Sequence, residues 1–309
     1  MIMRTDIIQI GISRIIILCL FSFLNSAILT GQGTDKRPLK VGLVSDVQYA
    51  DIENQGTRHY RASAAKFSEA VRKFRDENVD MIVSLGDFID NDFKSYKPLI
   101  RIIRGINIPV YFVLGNHDFS VRESRKRKVP DLLNIKSGYY SLTRNNWQFI
   151  FLDGTDISTF SRREKDPEYK KAQSILDSLK KEGAPNAHSW NGGVGKTQMK
   201  WLEQELDNSH SEGQNIIMFC HFPIYPESQP ENLWNASEIR KLVESRNWKM
   251  VFMSGHTHRS NYFQKNGIHY VSLRGMVEME ENSFAIAEIY NDSISIKGYG
   301  AEKDLRIRW

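Results

Sequence analysis

The chain has 309 residues, enough for one large domain or two small ones. Its content of 40% hydrophobic and 11% aromatic residues suits a packed core and excludes a chain too polar to fold. The net charge of +5 is diffuse, and two cysteines, Cys19 and Cys220, are too few for a disulfide framework or a thiolate metal site.

At the start of the chain, Arg4 and Arg14 precede an apolar run from Ile15 to Leu24, and the small residues Ser26 and Ala27 follow. A basic start, a short apolar run and small residues predict a secretory signal peptide over residues 1–27. The run is shorter than the ~20 residues of a spanning helix; an uncleaved anchor is the alternative. The protein is therefore expected to be exported, periplasmic or extracellular, with Cys220 the thiol left in the mature form. Residues 28–38 read as a polar linker and 39–309 as one domain.

A strand is predicted from Leu39 to Ser45, running directly into Asp46. Ala62, Ala65, Phe67, Ala70, Val71 and Phe74 recur at helical spacing, so a helix is predicted over 58–77. A second strand, Met81 to Leu85, leads to Asp87; a helix follows over 96–105; and a third strand, Val110 to Leu114, leads to Asn116. This β-α-β-α-β order predicts a largely parallel sheet covered on both faces, and ligands gather beyond the carboxyl ends of such strands. The run Arg122 to Lys128 is strongly basic, a solvated loop or a surface for an anion. Beyond it, strands are predicted at 147–152, 215–219, 249–253 and 268–273, with a hairpin of 284–290 and 293–298 around Asn291-Asp292, all as a second sheet. Between them, 155–190 is polar, with a helix over 167–181.

An ordered series of polar residues punctuates this pattern: Asp46-Val47-Gln48, Gly86-Asp87, Gly115-Asn116-His117-Asp118, His221 and Gly255-His256-Thr257-His258. Each has an ordinary reading. An aspartate at a strand end can be a turn or cap, a single histidine can be structural, and an asparagine can hold a left-handed turn. Together they mix carboxylate, amide oxygen and imidazole, the donor set of two divalent ions. Asp87 is the bridging candidate, because its two oxygens can neutralise both cations. Asp46, Gln48 and His258 would complete one ion, and Asn116, His221 and His256 the other.

On these motifs the chain resembles the calcineurin-like metallophosphoesterase superfamily. The resemblance implies an α/β fold, a four-layer αββα sandwich of two mixed sheets flanked by helices, and a dinuclear metal-dependent phosphohydrolase. The first motif of that superfamily usually reads Asp-x-His; Gln48 stands in the histidine position here, which favours manganese over iron or zinc, with magnesium a further candidate. Asp90 occupies the place of the tyrosine found in the purple acid phosphatase branch. Further stretches, Tyr49-Ala50-Asp51, Tyr60-Arg61-Ala62-Ser63, Trp190-Asn191-Gly192-Gly193 and His221-Phe222-Pro223-Ile224-Tyr225-Pro226, resemble the manganese-dependent ADP-ribose/CDP-alcohol diphosphatase family. The segment between Asp51 and Arg58 is shorter than that family's, so the resemblance does not carry base recognition over to it.

Two bound cations clamp a phosphate oxygen and acidify an attacking water. His117, following Asn116, is expected to stabilise developing charge or protonate the leaving oxygen, worth about 10²–10⁴-fold. Asp118 would orient that ring or serve as a helix cap. Arg58 and Arg61 would grip the distal phosphate or lie on an exposed helix face. Asn191, with Gly192 and Gly193, would let backbone approach substrate. Tyr49, Trp190 and Tyr225 would stack on a base or simply be buried. The expected partner is a small phosphorylated, nucleotide-containing substrate, with no nucleic acid and no membrane insertion beyond the N-terminal segment. The alternatives are a broad phosphomonoesterase, a cyclic-nucleotide phosphodiesterase, or a scaffold built on a dead site.

Overall fold

The computed structural model describes residues 37–309 apart from Lys136 and Asn247. The expected signal peptide and Cys19 lie outside the described residues. Among those residues no helix is long and apolar enough to cross a membrane.

The chain opens with β1 (Leu39–Val44), α1 (Ala62–Asp76), β2 (Met81–Ser84), α2 (Tyr96–Arg104) and β3 (Val110–Phe112). The strands β1, β2 and β3 pair in parallel, as the alternating pattern predicts. Two short helices, α3 (Glu123–Lys126) and α4 (Val129–Leu132), lead into β4 (Tyr140–Arg144) and β5 (Trp147–Phe151). Then come α5 (Pro167–Lys181), α6 (Lys196–Ser211), β6 (Asn215–Phe219), α7 (Ala236–Val243) and β7 (Met250–Ser254). The hairpin of β8 (Asn261–Lys265) and β9 (Ile268–Ser272) is followed by β10 (Ser283–Ile289), β11 (Ser293–Gly300) and β12 (Leu305–Arg308).

Two six-stranded mixed sheets result, ordered β12-β11-β10-β1-β2-β3 and β4-β5-β6-β7-β9-β8. The closing hairpin was expected in the second sheet; it belongs to the first. β10 lies antiparallel to β1, with Leu39 opposite Ile289 and Leu43 opposite Ala285. The reason is its two apolar faces. Ala285, Ala287 and Ile289 face the core between the sheets, and Phe284 and Ile286 face the helix layer, so β10 fits only in a sheet interior.

Three apolar layers separate four layers of structure. Val41, Leu43 and Val83 of the first sheet meet Phe149, Phe219, Val251 and Met253 of the second. Phe67, Phe74 and Leu99 from α1 and α2 cover the outer face of the first sheet. Leu202, Leu206, Ile239 and Val243 from α6 and α7 cover the outer face of the second. The helix expected from residue 58 starts at Ala62 instead. Residues 55–59 are held outside it, because Arg58 bridges Glu278 and His59 N donates to Val277 O at 2.8 Å.

Candidate metal centre

Asp46, Asp87, Asn116, His221 and His256 all lie just beyond the carboxyl ends of parallel strands β1, β2, β3, β6 and β7. Both sheets therefore deliver side chains to one edge of the sandwich. Five residues in the turns after these strands hold left-handed backbone: Asp46 (φ 49°), Gln48 (42°), Asp87 (52°), His256 (67°) and His258 (55°). Each such non-glycine residue costs on the order of 1–3 kcal/mol, so the surrounding structure must enforce it, as is typical of functional sites. Gly115 makes the convergence feasible: a Cβ there would sit 2.2 Å from Asp87 Oδ1.

All seven predicted ligands come together. The donor atoms of Asp87, His221 and His256 lie within 4.8 Å of one another. On the other side, His258 Nε2 is 3.2 Å from Asp46 Oδ1, and Gln48 Nε2 is 3.1 Å from Asp87 Oδ2. Asp87 is common to both groups, as a bridging ligand must be. Asn116 lines the same cleft of about 280 Å³.

The donor set fits cations on the evidence of its own unmet bonds. Asp46 Oδ1, Asn116 Oδ1 and His221 Nε2 are buried without a hydrogen-bond partner. Such orphans each cost about 1–3 kcal/mol unless a cation meets them. Gln48 Oε1 is orphaned too, while its Nε2 faces Asp87 and His258. Half a turn about the last side-chain bond puts the oxygen at the centre.

The second ring nitrogen of each histidine is already committed, which fixes the one left for metal. His221 Nδ1 donates to Leu85 O at 2.7 Å. His256 Nε2 donates to Asn191 Oδ1 at 3.0 Å. His258 Nδ1 donates to Glu278 Oε1 at 2.6 Å. The charges agree. Burial alone would push the Asp87 carboxyl up, but His221 and His117 outweigh it and hold the group ionised. Burial lowers His221 and His258, yet Asp87 and Asp46 raise them to about 9 and about 10. Burial, with His221 nearby, pushes His256 down to about 3. His221 Nε2 lies 3.2 Å from Asp87 Oδ2 and His258 Nε2 lies 3.2 Å from Asp46 Oδ1, pairings that divalent ions would replace.

Of the predicted substrate-facing groups, Arg58, His117 and Trp190 line the cleft. Four expectations need correction. Asp118 does not orient His117: its oxygens accept from the backbone N–H groups of Asp87, Phe88 and Gly115 and from the Tyr96 hydroxyl, all at 2.9–3.0 Å. It is a buried clamp on the loops, pushed up to about 6 by burial and then by Asp87. Asp90 stands by His117 instead, with Oδ2 3.0 Å from Nδ1, poorly aligned for a hydrogen bond but an ion pair when the ring is protonated. Arg61 pairs with Asp51 and Glu53 on the surface, away from the cleft. Asn191 is spent on structure, its Nδ2 donating to Asn186 O and Pro230 O while Oδ1 holds His256. Tyr225 stacks on Tyr270 at 4.8 Å in a neighbouring depression.

Glu278, Asp90 and Glu231 are cleft or support residues that the motifs did not single out. Asp90 is visible as the residue in the tyrosine position, but Glu278 and Glu231 sit in loops with no spacing signal.

The chain is similar to known proteins. A family model described as calcineurin-like phosphoesterase matches residues 39–260. The chain is similar to the manganese-dependent ADP-ribose/CDP-alcohol diphosphatases of Arabidopsis thaliana (27% identical, covering 85% of this chain and 95% of that one) and Danio rerio (28%, 87% and 97%). A crystal structure of a dimetal phosphatase from Danio rerio superposes with a TM-score of 0.80 at 26% identity, covering 88% of this chain and 99% of that one.

Proposed function

The chain belongs to the calcineurin-like phosphoesterase family, and from that premise we propose that it is an exported, two-manganese diphosphatase acting on ADP-ribose or CDP-alcohol substrates. The observation that carries the reading is Asp87, shared between two groups of inward-facing donors whose buried atoms lack partners. The names of the similar Arabidopsis and Danio proteins support the substrate class and the metal. The amide of Gln48, a harder donor than imidazole, supports manganese as well. The basic and apolar pattern of residues 1–27 supports export.

Bound cations would supply Lewis acidity toward the phosphoryl oxygens and an acidified attacking water. Asp46, Gln48, Asp87 and His258 would hold one, and Asp87, Asn116, His221 and His256 the other. His117 is fixed by its own backbone N–H, which donates to Asp87 Oδ1 at 2.7 Å. That anchor leaves the ring at the cleft, raised by Asp87 and Asp90 against the effect of burial, and so able to hold a proton for the leaving oxygen. Arg58 stands on the same wall, 3.9 Å from Glu278, where its guanidinium can meet the second phosphate of a diphosphate. A single-phosphate substrate leaves that arginine unused.

The test is a comparison of purified protein, with Mn²⁺, on ADP-ribose, CDP-choline and p-nitrophenyl phosphate. The reading predicts higher kcat/KM on the diphosphates. Preference for the monoester overturns the diphosphatase assignment.

A further inference from the structure

Trp190 is 45% exposed on the wall of the metal cleft, an unusual setting for the largest apolar side chain. One face of its ring is covered by His188, parallel within 9° at a centroid distance of 3.9 Å. The loop beneath is stitched to a second loop. Trp234 Nε1 donates to His188 O at 3.1 Å, and Trp234 N donates to Gly192 O at 2.8 Å. Between these, Asn191 Nδ2 donates to Pro230 O at 2.6 Å. That bond joins the residues next to Trp190 and Glu231 in sequence, so it ties together the two loops that carry them. Glu231 lines the same cleft, and its carboxylate has no hydrogen-bond or ion-pair partner among the described residues.

A carboxylate on the wall of a phosphate cleft repels the substrate unless it meets a donor. It can only accept hydrogen bonds. Adenine and cytosine carry an exocyclic amino donor on the edge where hypoxanthine and uracil carry a carbonyl acceptor. An aromatic face is indifferent to base identity, so the discrimination must come from the edge contact.

Building on the diphosphatase reading, we propose that Trp190 and Glu231 form a nucleobase subsite selective for amino-bearing bases, Trp190 stacking the ring and Glu231 accepting from its exocyclic amine. His188 acts behind Trp190 as a positioning residue.

The test is steady-state kinetics with Mn²⁺ on ADP-ribose and on its hypoxanthine counterpart, for the wild type, Trp190→Ala, Trp190→Phe and Glu231→Gln. The wild type is expected to favour ADP-ribose by about tenfold or more in kcat/KM. Trp190→Ala raises KM about tenfold to a hundredfold, the usual range for a lost base stack, with a smaller change in kcat, and Trp190→Phe restores most of it. Glu231→Gln, whose amide can accept or donate, brings the ratio of the two substrates close to one. Unchanged KM in Trp190→Ala, or an unchanged ratio in Glu231→Gln, overturns the subsite even if ADP-ribose is a good substrate. Calorimetric binding of AMP and IMP to the metal-loaded protein separates the two claims. If ADP-ribose is not hydrolysed, tighter AMP binding that is lost in both variants upholds the subsite and rejects the diphosphatase reading. Equal binding of AMP and IMP rejects the subsite.

Discussion

At the residue scale, the site is built from side chains whose second contacts matter as much as their first. Asp118 is the clearest case. Replacing it with alanine strands three backbone N–H groups and a tyrosine hydroxyl, at about 1–3 kcal/mol each before relaxation. Asp118→Ala should lose on the order of 3–5 kcal/mol in urea denaturation; a loss below about 1 kcal/mol would contradict the clamp. Asp90→Asn should instead leave stability nearly unchanged, because its amide oxygen can still accept from Asn91 N, while lowering kcat about tenfold and moving the alkaline limb of the pH–rate profile to lower pH, because the carboxylate that helps raise the His117 ring is gone.

A second residue-scale prediction concerns pH. Asp153 follows β5, and its Oδ1 accepts from Thr155 N at 2.8 Å and from Thr155 Oγ1. Burial pushes its carboxyl up to about 6 from 3.8. Between those values the folded protein binds more protons than the unfolded chain. Stability therefore falls as pH rises through the window, and the handicap is complete above about 6. Asp153→Asn keeps an oxygen for Thr155 and removes the charge. Its melting temperature relative to the wild type should rise between ~pH 4 and ~pH 7.5, by an amount equivalent to about 1–3 kcal/mol. A constant difference across that range contradicts the assignment.

All seven candidate metal ligands were legible because each sits at or near a strand end, in an order that one donor chemistry explains. The supporting residues were not. Glu278 and Glu231 lie in loops, where only tertiary pairing, such as Met279 N donating to Thr57 O, decides what they face. Asn191 was visible, but its role was inverted: the expected substrate contact is the residue that orients His256.

At the element scale, periodicity recovered the strands of both sheet centres and α5, whose predicted bounds of 167–181 match the observed Pro167–Lys181. It missed α6 because the apolar stripe is narrow. Of its buried residues, Leu202 and Leu206 are apolar, while Gln198 and Ser209 are polar. Gln198 is buried because its side chain closes two backbone contacts, accepting from Asp153 N and donating to Asp153 O. β8 was missed because an edge strand with exposed Tyr262 and Phe263 shows no alternation of burial. The basic run was read as a loop; it holds α3, and Arg127 reaches Asp166 at 3.2 Å. The hold of α6 on the second sheet is testable. Leu206→Ala should cost about 2–5 kcal/mol by thermal or urea denaturation, with unchanged turnover at permissive temperature. A neutral effect would mean that α6 adds little to the core.

At the scale of the whole molecule, two sheets meet at an edge where their strand ends supply opposite halves of one charged cluster. Asp46, Asp87 and Asn116 come from the first sheet, and His221, His256 and His258 from the second. Holding that cluster together without cations leaves strained backbone and unmet donors at the seam. Chelation should therefore abolish turnover and also lower the melting temperature, and Mn²⁺ should restore both in a concentration-dependent way. The most direct measurement is the Mn²⁺ stoichiometry of the purified protein, read by metal analysis and electron paramagnetic resonance for the wild type and Asp87→Asn. The account predicts two magnetically coupled ions per wild-type chain and loss of that coupling, with weakened binding, in the variant. No bound manganese in the wild type, or a coupled pair that survives the loss of the Asp87 carboxylate, would contradict it.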